Sequence, residues 1–216
     1  MKAGVYNMDC MDAMREFPDG YFDLAVVDPP YFEDYAKANY TGNDISTTGV
    51  KRQTREIKHW GIPDADYFNE LRRVSKNQIV WGCNYYAVHI PDFGRIVWDK
   101  QNDSSTFSKC ELASHSFGVR VDIFRYTWNG MIQGDMKNKE VRIHPTQKPV
   151  KLYEWIYMNY LPNGGKVLDT HLGSGSNRIA ADKMGNIEFY GYEIDKEYFD
   201  ASVKRFDAYK AQGVLF

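Results

Sequence analysis

Lys166-Val167-Leu168-Asp169-Thr170-His171-Leu172-Gly173-Ser174-Gly175-Ser176 reads as a short buried strand, a glycine turn and the start of a helix with Ser176 near its cap. Glycines in the turn let the backbone come close to a ligand. About 20 residues further on, Ile187-Glu188-Phe189-Tyr190-Gly191-Tyr192 forms a second strand-like run and ends in Glu193, an acid placed to take two ribose hydroxyls. Together the two runs make an adenosine-binding half-fold. A nicotinamide dinucleotide is the obvious rival, but the residue three beyond Gly175 is Arg178, so the third glycine of Gly-x-Gly-x-x-Gly is missing. The lysine of a phosphate-binding loop is missing too. A ligand with a ribose and no pyrophosphate fits better, and S-adenosylmethionine is the natural candidate.

A second stretch, Asp28-Pro29-Pro30-Tyr31, closes the apolar run Leu24-Ala25-Val26-Val27. An exocyclic amine on adenine or cytosine is a poor nucleophile because its lone pair is delocalised into the ring. An acceptor for the amino hydrogens helps the nitrogen pyramidalise. The Asp28 carboxylate and the Pro29 carbonyl are both candidate acceptors, and the two prolines fix φ so that the turn is preorganised. Tyr31 offers a ring face to a base extruded from its stack, an interaction of about 1–3 kcal/mol. The plain alternative is a strand terminated by Asp-Pro-Pro with a half-buried tyrosine after it.

With these two stretches in this order, the chain resembles the amino-group DNA methyltransferases of the β class, in which the catalytic Asp-Pro-Pro-Tyr precedes the cofactor loop by circular permutation. Three further segments carry the resemblance. Tyr6-Asn7-Met8-Asp9-Cys10 is similar to the strand end where the family sets an acid against the cofactor's adenine amine, and His144-Pro145-Thr146-Gln147-Lys148-Pro149 to the segment folded over its methionine end. Ile96-Val97-Trp98-Asp99-Lys100 and Glu111-Leu112-Ala113 fall where the family has its later strands. Two positions depart from the family: His171 stands where an aromatic is common, and Asn177 where Thr or Ser is.

The resemblance implies an α/β, Rossmann-like methyltransferase fold: a mostly parallel, doubly wound sheet with one antiparallel strand near an edge and ligands at the carboxyl ends of the strands. It implies catalysis by Asp28, Pro29, Pro30 and Tyr31. The implied cofactor contacts are Asp9, Cys10, Asp28, His144, Thr146, Lys148, Asp169, His171, Gly173, Ser174, Gly175, Ser176, Glu193 and Ile194, with Thr146 or Lys148 reaching the cofactor's carboxylate. The activity implied is methyl transfer from S-adenosylmethionine to adenine N6 in double-stranded DNA by direct displacement on a flipped base. The leading Asp of the tetrapeptide favours adenine; cytosine N4 is the alternative, and a non-catalytic cofactor-binding scaffold subunit a third reading. A homodimer also follows from the family habit.

Composition is compatible with this. At 216 residues the chain suits one α/β domain, 1–216. There is no N-terminal apolar leader and no run able to span a bilayer. Cys10, Cys83 and Cys110 lack Cys-x-x-Cys spacing and read as reduced cytoplasmic thiols, and the five histidines show no metal-ligand pairing, so no metal is expected. Twenty-seven basic residues against 29 acidic leave a net charge of −2, so DNA attraction must be local. Basic residues gather at Lys51, Arg52, Arg55 and Lys58, and again at Lys137, Lys139 and Arg142. Both sets lie in polar segments, 32–63 and 129–143, that read as candidate DNA-recognition loops.

Coarse patterning predicts strands at 4–7, 22–27, 78–82, 95–99 and 124–128, and helices at 11–17, 65–74, 150–160 and 197–210.

Overall fold

The computed structural model describes residues 1–31, 61–91, 94–103, 108–129 and 132–213. In chain order the elements are β1 (Gly4–Tyr6), α1 (Cys10–Arg15), β2 (Leu24–Val27), α2 (Ala65–Val74), β3 (Gln78–Trp81), β4 (Gly94–Asp99) and β5 (Cys110–His115). There follow β6 (Val121–Arg125), β7 (Trp128–Asn129), β8 (Ile132–Gln133), α3 (Val150–Tyr160), β9 (Gly165–Asp169), α4 (Ser176–Met184), β10 (Ile187–Tyr192) and α5 (Lys196–Gly213). The expected long loop at 32–63 lies outside the described residues except for Gly61, Ile62 and Pro63.

Eight strands form one sheet in the order β1-β10-β9-β2-β3-β5-β4-β6, and β7 pairs with β8 in a separate two-stranded ribbon. Every pairing in the large sheet is parallel except those of β5, which runs against β3 and β4. The sheet is thus a mostly parallel, Rossmann-like α/β sheet. The single antiparallel strand is not at its edge, because β4 and β6 lie beyond it.

Period-two alternation decides which side chain enters which core. On β2, Leu24 and Val26 face one cluster with Ile79, Trp81, Ile96 and Val167, which α3 and α4 cover. Ala25 and Val27 face the other with Val80, Leu168 and Tyr192, which α1 and α2 cover. All four β2 residues are buried, as are all four of β3, which is why Leu24–Val27 and Ile79–Trp81 read as continuous apolar runs. Helix α2 starts where Asp64 accepts from the backbone N–H groups of Asp66 and Tyr67, a cap worth about 1 kcal/mol.

One of these expectations needs correction. Residues 124–128 are not one strand: β6 ends at Arg125, and β7 begins at Trp128 after the Tyr126 N–H turns to the Asp99 carbonyl. At the glycine turn the helix starts as expected, with Gly175, held at φ 71°, as the cap of α4 and Ser176 next to it as the first helical residue.

Because β1, β2, β3, β9 and β10 run parallel, their carboxyl ends share one edge of the sheet. Asp28 follows β2, Asp169 ends β9 and Glu193 follows β10. The first two lie on hydrogen-bonded neighbours although 141 positions separate them in sequence.

Candidate active site

A cavity of about 440 Å³ opens along that edge. Its wall includes Met8, Asp9, Cys10, Asp28, Pro29, Pro30, Tyr31, Tyr67, His144, Thr146, Lys148, Tyr153, His171, Gly173, Ser174, Glu193 and Ile194, with Gly61–Asp64 along one side. The fold therefore gathers the tetrapeptide and most of the expected cofactor contacts in one place.

The tetrapeptide is fixed from behind. The buried Tyr86 hydroxyl donates to the carbonyls of Pro29 and Pro30, at 3.0 and 2.5 Å. Pro29's carbonyl, expected as an amine acceptor, thus has one lone pair engaged. Tyr31 lies flat against Tyr85, ring centroids 4.3 Å apart and planes 1° from parallel. Asp28 Oδ2 accepts from the Lys148 ammonium at 2.5 Å, while Asp28 Oδ1 is buried and has no hydrogen-bond partner among the described residues. Burial pushes the Asp28 carboxyl above its ordinary range; the Lys148 ammonium pulls against that shift and Glu111 adds to it.

On the opposite side the glycine turn is pinned to β10. Glu193 Oε2 accepts from the Gly173 N–H at 2.8 Å and Oε1 from the Asp195 N–H at 2.9 Å, while Asn7 Nδ2 holds the Glu193 backbone carbonyl at 2.7 Å. Glu193 is also buried, and burial raises its pKa. Asp9 lines the cavity while capping α1 through the Met11 N–H. Cys10 lies beside it, its thiol pushed up to about 12 by burial and by Asp9, so it is no thiolate nucleophile. His171 Nδ1 lies 2.9 Å from the Thr170 hydroxyl, which in turn meets the Tyr67 hydroxyl at 2.7 Å. Burial lowers the His171 pKa to about 4, leaving a neutral imidazole in the wall. Thr146 and His144 are joined side chain to side chain at 3.1 Å.

Four expected cofactor contacts are placed differently. Asp169 is buried behind the turn, its oxygens taken by the His171 N–H and the Asn177 amide, and burial raises its pKa to about 7. Gly175 and Ser176 are not in the cavity wall; the Ser176 hydroxyl accepts from Arg205, as does the Ser174 carbonyl. Lys148 is in the wall, but its ammonium is committed to Asp28 and to Glu111, at 2.5 and 3.1 Å. Sequence reasoning also missed Tyr67, Tyr86, Tyr153 and Glu111. Only Glu111 left a trace, as a member of the segment Glu111-Leu112-Ala113 expected to fall on a later strand.

Of the basic clusters, Lys137 and Lys139 are exposed, and the Arg142 guanidinium lies over the Trp128 ring at 5.5 Å. Lys51, Arg52, Arg55 and Lys58 lie outside the described residues. Among the described residues no helix is long and apolar enough to cross a membrane, and no group of three or more His, Cys, Asp or Glu side chains is arranged to hold a metal ion.

Residues 108–204 match a family model described as DNA methylase. The chain is 23% identical over 238 aligned residues to the Type II methyltransferase M2.MboI of Moraxella bovis, covering 94% of this chain and 86% of that protein. It is 25% identical to the Type II methyltransferase M.BglII of Bacillus subtilis, covering 91% of this chain and 66% of that protein. Solved structures with the same fold include the M1.HpyAVI–SAM complex (TM-score 0.54, 16% identity, 94% and 98% of the two chains covered). PvuII DNA methyltransferase, which is cytosine-N4-specific, superposes with a TM-score of 0.60 at 15% identity, covering 95% of this chain and 86% of that one. Over most of its length the chain is thus similar in sequence to Type II methyltransferases, and over residues 108–204 to the DNA methylase family model.

Proposed function

We propose that this chain transfers a methyl group from S-adenosylmethionine to the exocyclic N6 amine of adenine in double-stranded DNA, acting on a base swung out of its stack. The observation that carries this is the carboxylate of Asp28, a residue of the cavity wall: one oxygen is tied to Lys148, and the other is buried with no hydrogen-bond partner among the described residues. A buried acceptor left open is costly unless something binds it. An amine delivering a hydrogen to Oδ1 satisfies it, and Tyr31, backed by Tyr85, supplies the ring face on which the base rests.

The cavity fits the cofactor. Its volume lies within the range of small-molecule sites, and Gly173 stands at φ 50° with the His144 ring about 3.8 Å from where a β-carbon would sit. Asp9 and Glu193 would hold the adenine and ribose; Gly173, Ser174, His144, Thr146 and the neutral His171 would flank the remainder. Bound there, S-adenosylmethionine supplies an electrophilic methyl group. The protein's part is to orient the amine, exclude water and hold the amine's hydrogens on Asp28, which accepts the released proton or passes it to solvent. Neither a cysteine nor a metal ion is required of the protein.

The order of the segments, with Asp28–Tyr31 ahead of Lys166–Ser176, supports the circularly permuted β class and the Asp-Pro-Pro-Tyr type. Similarity to the cytosine-N4-specific PvuII enzyme supports N4 of cytosine as a second reading. Incubating the protein with labelled S-adenosylmethionine and unmethylated genomic DNA, then identifying the nucleosides by mass, decides between them. N6-methyladenine is expected; N4-methylcytosine alone would replace the adenine assignment, and no labelled nucleoside would return the scaffold reading.

A further inference from the structure

Three regions of the chain, around residue 28, from 100 to 111 and around 148, bring a line of alternating charge into the sheet. Asp28 follows β2, Lys148 precedes α3, Glu111 lies on β5, and Lys100 follows β4. The Lys148 side chain is 3% exposed, and its ammonium is 2.5 Å from Asp28 Oδ2 and 3.1 Å from Glu111 Oε2, with the Trp81 ring centroid at 5.3 Å. Glu111 Oε1 is 2.6 Å from the Lys100 ammonium. Burying such charges is expensive, and an apolar cluster of the same volume usually serves stability as well or better. The line is also asymmetric, ending at a residue of the cavity wall whose carboxylate has one oxygen engaged and the other buried without a hydrogen-bond partner among the described residues.

Resting on the amine-acceptor role proposed for Asp28, we infer that Glu111 and Lys148 are positioning residues for the transfer. Lys148 fixes the rotation of the Asp28 carboxylate so that Oδ1 faces the amine, and Glu111 holds Lys148 back so that its ammonium does not collapse onto Asp28 alone. An ammonium shared between two carboxylates leaves Asp28 a better acceptor than one given wholly to it.

The charged and titratable groups acting on or facing Asp28 are Lys148, Glu111 and Lys100, with Asp169 and Tyr153 on the neighbouring elements. Their signs differ. Lys148 and Lys100 favour the ionised carboxylate, while Glu111 disfavours it. Removing Lys148 therefore makes Asp28 protonate at higher pH, and removing the Glu111 charge makes it protonate at lower pH. The opposed shifts test that both charges act on Asp28, and the plateau rate, read where Asp28 is ionised, tests that they position it.

The test is the acid limb of single-turnover methyl transfer to unmethylated genomic DNA, with S-adenosylmethionine binding measured in parallel by calorimetry. In Lys148→Met the limb moves up by about one pH unit or more, and in Glu111→Gln it moves down while the plateau rate falls about tenfold. Lys100→Met, farthest from the cavity, moves the limb up by less and stands in if Lys148→Met does not fold. Cofactor affinity stays within about threefold throughout, each 1.4 kcal/mol being tenfold. Limbs that do not move, or that move the same way in Lys148→Met and Glu111→Gln, overturn the inference. So does a tenfold loss of cofactor affinity in Lys148→Met, which would make Lys148 a cofactor ligand. Equal transfer by wild type and Asp28→Asn is a separate result: it removes the role of Asp28 itself.

Discussion

At Asn177 a single amide joins three segments. Its Nδ2 donates to the Val26 carbonyl on β2 at 3.2 Å and to Asp169 Oδ2 at the end of β9 at 3.0 Å, while its Oδ1 accepts from the Tyr157 hydroxyl of α3. Strands β2 and β9 pair only at Leu24–Val167 and Ala25–Leu168, so past Ala25 this side chain takes over the work of the ladder. Thr or Ser, the family's habit at this position, is too short to meet all three partners. Asn177→Ala leaves three buried groups without partners and should cost about 2–4 kcal/mol, read from urea midpoints. Asp169 adds a pH dependence. Burial raises its folded pKa to about 7 from an ordinary 3.8, so its contribution is complete below the unfolded value and is lost as pH rises through the folded one. Stability should therefore fall between about pH 4 and 7 more steeply in wild type than in Asp169→Asn, by an amount of order 3 kcal/mol. His171, whose pKa is lowered, shifts stability the opposite way over that window, and the comparison with Asp169→Asn cancels it.

Among the elements, the turn after β3 governs the aromatic wall. Gly82 sits at φ 70°, and a β-carbon there would lie 2.8 Å from Tyr31 Cδ1. Gly82→Ala adds left-handed strain of about 1–2 kcal/mol and pushes the Tyr31 ring off Tyr85. The expected outcome is a KM for DNA raised about fivefold or more with cofactor affinity unchanged, since roughly 1 kcal/mol of base stacking is lost; an unchanged KM would remove Tyr31 from base binding. Elements with a strong local signal were legible in the sequence. Helix α2 has its Asp64 cap and its buried Tyr67, Phe68, Leu71 and Val74 at helical spacing, and it runs from Ala65 to Val74 as the pattern predicts. Strand β5 was legible only at Glu111-Leu112-Ala113, because its buried Ser114 and His115 are polar and interrupt the apolar run. Strand β6 was misjudged because it lies at the sheet edge, where Val121 and Ile123 are exposed and the buried Phe124 stands alone.

Over the whole molecule, the parallel arrangement of β1, β2, β9 and β10 is what turns separate motifs into a site. Asp28–Tyr31 and the glycine turn were legible because each is a compact run whose chemistry is local. The pairing of Lys148 with Asp28 across 120 positions, its second partner Glu111 and the Tyr86 clamp were not, since no local pattern encodes which distant charge a buried ammonium will meet. With a net charge of −2 the chain has no global attraction for a polyanion, so the DNA contact proposed above must be local. The central claim is that Asp28 Oδ1 is the acceptor of a target-base amine. The most direct test is single-turnover methyl transfer from S-adenosylmethionine to unmethylated DNA by wild type and Asp28→Asn, with cofactor binding checked by calorimetry. Transfer by wild type and a loss of at least about a hundredfold in Asp28→Asn, with cofactor affinity retained, is the expected result; equal transfer by the two proteins would contradict it.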